Sequence, residues 1–114
     1  MAAVYGDRGK LQDIAISWTS DGSGDHTETV FMEGAIVRVV TNPGATAPTD
    51  DYDITLIDAD GLDLAQSSLL NRDTANSEQW IPTTPVFHVP SFTFTVANAG
   101  DTKDGACTIY VAWV

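Results

Sequence analysis

The residues of this chain with the most chemical potential are its carboxylates, of which there are 16 among 114 residues. They gather twice. Asp58-Ala59-Asp60-Gly61-Leu62-Asp63 reads as the opening of a calcium loop, with oxygen ligands at alternate positions and a Gly for the turn. Such a loop needs a bidentate Glu at its twelfth position, and counting from Asp58 that position is Leu69. Asp21-Gly22-Ser23-Gly24-Asp25, followed by His26 and Glu28, fails in the same way at Met32. The first motif therefore reads as a solvated hairpin turn and the second as a flexible strand connection, a weak surface calcium site being the sharper alternative for the first.

His26 and His88 are the only histidines and Cys107 is the only cysteine. No His/Cys spacing suits zinc, and no intrachain disulfide is possible. There is no Gly-x-Ser-x-Gly elbow and no phosphate-binding Gly-rich loop ahead of a helix. His88, between Phe87 and Val89, reads as a structural residue, and Cys107 as a buried thiol in a strand. Carboxylate pairs for glycoside hydrolysis are numerous by counting alone, which leaves a small Asp/Glu hydrolase as the weakest of three functional readings. The expectation is that the chain is not an enzyme and holds neither metal nor cofactor.

Aromatic side chains offer binding chemistry. Trp18 shares its phase with Ile14 and Ile16, and so belongs to the core. Trp113 shares its phase with Ile109 and Val111, and so points inward or to the rim. Trp80, beside Ile81-Pro82, reads as exposed, either as an interface anchor or as a platform for a sugar ring. Arg72 in Asn71-Arg72-Asp73-Thr74 reads as a structural Arg–carboxylate pair or, alternatively, as a contact to a neighbouring subunit. The candidate interface residues are Tyr5, Leu11, Arg72, Trp80, Trp113 and Val114.

Charge narrows the partners. Five basic residues leave a net charge of -11, and Arg8, Lys10, Arg38, Arg72 and Lys103 are scattered with no two adjacent. Phosphate neutralisation is the main source of nucleic-acid affinity, so neither nucleic acid nor an anionic membrane is an expected partner. The longest apolar stretch, residues 109–114, is far short of a membrane span, and the first ten residues lack the apolar centre of a signal peptide. These features describe a soluble chain made in a reducing cytoplasm.

The elements that must position these residues repeat with period two. Ile14, Ile16 and Trp18, then Tyr52, Ile54 and Leu56, then Phe92, Phe94 and Val96 alternate with smaller or more polar residues, the pattern of strands with one face in a core. Residues 27–32 read as a shorter strand. Residues 35–40 and 108–114 are apolar on both faces, which marks central strands or strands whose outer face meets something else. Turns fall at residues 21–25, at Glu33-Gly34, at Asn42-Pro43-Gly44 with Pro48, at Asp60-Gly61 and across residues 98–105, where Gly, Pro, Asp and Asn supply the needed backbone geometry. Residues 62–78 read as a capping loop with room for a short helix at 64–70, Leu69 and Leu70 covering an open end. Pro82, Pro85 and Pro90 place residues 86–89 at a sheet edge or on a traversing connection. The fold class expected is all-β: an antiparallel β-sandwich, jelly-roll-like, of seven or eight strands. It occupies residues 13–114 as a single domain behind an N-terminal arm, residues 1–12.

Taken together, Trp18-Thr19-Ser20-Asp21-Gly22-Ser23-Gly24, the run Tyr52-Asp53-Ile54-Thr55-Leu56-Ile57-Asp58-Ala59-Asp60-Gly61-Leu62-Asp63, Asn71-Arg72-Asp73-Thr74 and Thr95-Val96-Ala97-Asn98-Ala99-Gly100 resemble small virion structural proteins of tailed bacteriophages. The resemblance runs from about residue 14 to the end and rests on turn and strand signatures. It implies a capsid decoration or cement protein on the outer capsid surface, made in the host cytoplasm. Its implied partners are the major capsid protein and further copies of itself, commonly as a trimer; a neck or tail position is the variant. A carbohydrate-binding or host-adhesion module of a fibre or tail is the alternative reading. Because residues 35–40 read as a central strand, Val37→Asp and Arg38→Glu should each lower the melting temperature or dissolve the assembly. Unchanged melting and unchanged oligomer size in both variants would contradict that.

Overall fold

The computed structural model describes residues 11–88 and 91–112. The alternating segments become eight antiparallel strands: β1 (Leu11–Thr19), β2 (His26–Phe31), β3 (Gly34–Pro43), β4 (Asp53–Ile57), β5 (Glu78–Trp80), β6 (Val86–His88), β7 (Ser91–Ala97) and β8 (Asp104–Ala112). One sheet runs β1-β8-β3-β5, with β6 also paired to β3, and the other runs β2-β7-β4. Pairing is nested, β1 with β8, β2 with β7 and β3 with β6, the winding of a jelly roll. Most of the expected arm, residues 1–10, lies outside the described residues. Its last two positions are already strand, since Leu11 pairs with Ala112 and Gln12 with Val111.

Alternation decides which side chains meet between the sheets. Ile16 and Trp18 from β1, Val39 from β3, Ile54 and Leu56 from β4, Phe92, Phe94 and Val96 from β7, and Cys107, Ile109 and Val111 from β8 are buried together. Trp18 packs on Tyr52, which is fully buried, with ring centroids 5.7 Å apart. β3 and β8 are central, as two-sided apolarity suggested, but their outer face is not a bare apolar patch. β8 alternates strictly, turning Ala106, Thr108, Tyr110 and Ala112 outward and half-buried. Arg38 lies over the Tyr110 ring, 4.9 Å from its centroid, and donates from Nε to Gln79 Oε1 at 2.8 Å. A register shift between Ile36 and Arg38 puts Val37 at a bulge in β3.

Residues 62–78 contain no helix. Residues 62–72 instead run along the outer edge of β4 and supply the hydrogen bonds that a fourth strand would give. Arg72 N donates to Tyr52 O at 2.7 Å, Ile54 N to Leu69 O at 3.0 Å and Leu64 N to Leu56 O at 2.7 Å. The Asp63 carboxylate replaces a backbone acceptor, taking Leu56 N at 3.0 Å, Ala65 N at 3.1 Å and Ser67 N at 2.9 Å. A helix here would have spent these backbone groups internally and left β4 with unmet donors. Leu69 is fully buried, as its capping role requires. β5, only three residues long, has too little alternation to be read from the sequence.

Two predictions come from this packing. Gly105 faces Trp18 across the β1–β8 pair, and a Cβ there would overlap the indole ring. Gly105→Ala should therefore cost about 1–3 kcal/mol, the usual range for overpacking a filled core, and Trp18→Phe should relieve part of it. Denaturant melts of the single and double variants read this directly, and simple additivity would refute the contact. The second concerns pH. Burial pushes the Tyr52 phenol from 10.0 up to about 12, with Cys107 nearby adding to the rise and Arg72 opposing it. Burial likewise pushes the Cys107 thiol from 9.0 up to about 12. Both groups are neutral when protonated, and their raised values make the folded state hold protons that the unfolded chain releases. Their contribution is complete below about pH 9 and is lost as pH climbs toward 12. The denaturation midpoint should stay level from pH 7 to 8.5 and then fall. Tyr52→Phe, which removes a buried hydroxyl whose neighbour Thr41 meets it only outside good hydrogen-bond geometry, should flatten the upper part of that fall and change stability at pH 7 little. Superimposable alkaline curves for the two proteins would count against it.

Candidate functional site

Asp21, Asp58 and Asp63, three of the acidic residues that looked like ligands, have their carboxylates occupied with local backbone N–H groups. Asp21 Oδ1 accepts from Ser23 N at 2.8 Å and Asp25 N at 3.1 Å, and these backbone N–H groups hold its carboxyl below the ordinary carboxylate value. Asp73 Oδ1 accepts from Ala75 N at 2.6 Å and Asn76 N at 3.1 Å, with the same effect on its acidity. Asp58 Oδ1 accepts from Asp60 N at 2.9 Å and Leu62 N at 3.0 Å, and Gly61 at φ 82° completes that hairpin. Asp53 joins Asn71 N at 2.9 Å and Asn98 Nδ2 at 2.6 Å. Among the described residues no three His, Cys, Asp or Glu side chains converge as metal ligands would. A catalytic constellation needs a base within reach of a nucleophile and an open cleft. A His–carboxylate contact, His26 Nε2 to Glu28 Oε1 at 2.8 Å, lies along β2 beside the ring of Phe94.

Three of the six candidate interface residues, Leu11, Arg72 and Trp80, fall among the described residues. Tyr5, Trp113 and Val114 lie outside the described residues, and Leu11 opens the edge strand β1. Arg72 is held inside its own chain. Its guanidinium donates to Ser68 O at 3.2 Å and Leu70 O at 3.4 Å and sits 3.7 Å from Glu78 Oε1, leaving the side chain 12% exposed. Glu78 in turn accepts from Asp73 N at 2.8 Å. Trp80 is half-buried and packs against the core, where the sequence pattern suggested free exposure. It forms a wall of a groove of about 370 Å³ between residues 64–68 and the β5–β6 connection. Leu64 and Val86 contribute apolar surface there, while Gln66, Ser68, Thr83 and Thr84 supply amide and hydroxyl groups. None of these four was singled out from the sequence. Their one legible signal is the Pro82-Thr83-Thr84-Pro85 break, which separates β5 from β6 and lifts the connection off β3.

Strand edges are the other exposed feature. β4 is covered by residues 62–72. The opposite edge of the larger sheet, β5 and β6, is broken at Pro82 and Pro85, a common way to blunt an edge. β2 directs His26 and Glu28 toward its half-buried side, again an edge-guarding device. β1 is a nine-residue edge strand with neither Pro nor Lys within it, and among the described residues nothing pairs along its outer side. Phe31 and Phe87 stand 74% and 64% exposed at the ends of β2 and in β6.

No protein-family model matches the chain, and no curated protein matches it. Two solved structures are similar to it at low identity. A crystal structure of FLHE has 12% sequence identity and a TM-score of 0.45, with 90% of this chain and 96% of the other covered. A periplasmic lysozyme inhibitor of g-type lysozyme from Aeromonas hydrophila, PliG, has 12% identity and a TM-score of 0.41, with 94% and 90% covered. Likenesses at this level do not bear on what the chain does.

Proposed function

We propose that this chain is a non-enzymatic virion structural protein of a tailed bacteriophage, a capsid decoration protein that self-associates on the outer capsid surface. The open edge of β1 carries this reading. A long strand with unpaired backbone donors and acceptors is a template for pairing with another chain, and among the described residues nothing pairs along the outer side of β1, whereas the other edges are covered, broken by Pro or guarded by inward charges. The acidic surface fits the location, because a protein added to the outside of a DNA-filled shell needs solubility and no affinity for the genome. Asp21, Asp58, Asp63 and Asp73 spend their carboxylates on turns, which supports a non-catalytic reading.

The favoured trimer constrains the contact. Identical strands paired with each other give a two-fold, so a three-fold ring needs β1 of one copy against a different edge of the next. Ala15 and Ser17 are exposed on β1, so Ala15→Lys with Ser17→Lys should leave melting intact while charging the edge. Light scattering should then report trimers for the parent protein and monomers for the variant, and only the parent should cosediment with capsids lacking decoration. A parent protein that stays monomeric at high concentration and ignores capsids would overturn the reading.

A further inference from the structure

We infer that the groove beside Trp80 is a binding site for a neutral sugar ring, a function separate from the assembly proposed above and resting on different residues. The argument begins with what lines it. Every lining residue is uncharged, in a chain where 21 of 114 residues are ionisable Asp, Glu, Lys or Arg, counted as 16 acidic plus 5 basic. Pyranose recognition asks for an aromatic face against the C–H side of the ring and for amide and hydroxyl groups that both donate and accept around its rim. Trp80 offers the first, with its indole anchored by packing against the core, so that little is lost in ordering it when a ligand arrives. Gln66, Ser68, Thr83 and Thr84 offer the second from the two banks.

Those polar groups are available. Among the described residues, the side chains of Gln66, Ser68, Thr83 and Thr84 and the Trp80 indole N–H make no hydrogen bond within the chain. This contrasts with the neighbouring Asp63, Arg72 and Asp73, whose polar atoms are nearly all engaged. The volume, about 370 Å³, is at the small end of ligand pockets, which run from about 300 to 1,000 Å³, and suits one or two rings. Both banks are also held stiffly. Gln66 and Ser67 adopt φ of 51° and 67°, left-handed values that non-glycine residues keep only where the surroundings enforce them. Here the bonds from Ala65 N and Ser67 N to the Asp63 carboxylate do so. The opposite bank is fixed by Pro82 and Pro85. The net charge of -11 repels sialylated, sulfated or phosphorylated glycans, which points to neutral hexopyranoses.

The test uses the full chain in two arms. Soluble neutral oligosaccharides (maltotriose, cellotriose, chitotriose and lactose) are titrated while Trp fluorescence is followed, and purified neutral bacterial O-polysaccharides are captured on a sensor surface. Binding in the first arm identifies a site that reads a free chain end, and binding in the second alone identifies one that reads internal rings. Both support the proposal if Trp80→Ala weakens binding at least tenfold and Gln66→Ala or Thr84→Ala weakens it about three- to tenfold, the scale of one lost hydrogen bond. Gln66 and Thr84 are exposed, so their variants keep the test decisive should Trp80→Ala misfold. The doubly charged β1 variant should bind the same glycans as the parent, which separates this site from the assembly edge. Silence in both arms, or binding indifferent to Gln66→Ala and Thr84→Ala, would overturn it.

Discussion

The three-stranded sheet is the vulnerable half of this molecule, and the way its β4 edge is closed governs most of what surrounds it. Tyr52, Ile54 and Leu56 are fully buried, so the backbone between them must find partners in a place water does not reach well. Residues 62–72 meet that demand with main-chain bonds and with the Asp63 carboxylate. Leu69 closes the core, Arg72 is pinned under carbonyls, and one bank of the Trp80 groove is formed as a by-product. Loosening this segment would open the core, the Arg72–Glu78 pair and the groove together.

The same constraint gives the acidity a structural meaning. An Asp side chain accepts two or three nearby backbone N–H groups and thereby builds a tight turn. Asp21, Asp58, Asp63 and Asp73 each do so, and basic residues are few. Charge accumulates as a consequence of turn building in a chain of many short connections.

Edges, not faces, carry the outward-directed chemistry. The outer face of the larger sheet is mixed, with Arg38 laid across Tyr110, and offers no broad apolar patch. Among the described residues, what remains for contact is the outer side of β1, the exposed Phe31, Leu62, Ile81 and Phe87, and the uncharged groove at Trp80. The first is suited to assembly through backbone pairing and the last to a small neutral ligand, and they use different parts of the sandwich.

Local alternation alone determined the sandwich class, the inward phase of Trp18, Ile54 and Phe94, the buried thiol of Cys107 and the turn positions, because a strand's two faces are fixed by a two-residue period within a few neighbours. It also showed that the Asp-rich turns lack a calcium loop's closing Glu. Four features required the tertiary structure: the strand-like service of residues 62–72, the pairing of β5, the burial of Trp80 and the internal capture of Arg72. Each depends on a partner distant in the chain. Gln66, Ser68, Thr83 and Thr84 carry no periodic signal, being ordinary loop residues until the β5–β6 connection is set opposite the β4 cover. Which edges are blunted and which one is left open was decided in the same way, since a strand's neighbours are a property of the sheet order and not of its own residues.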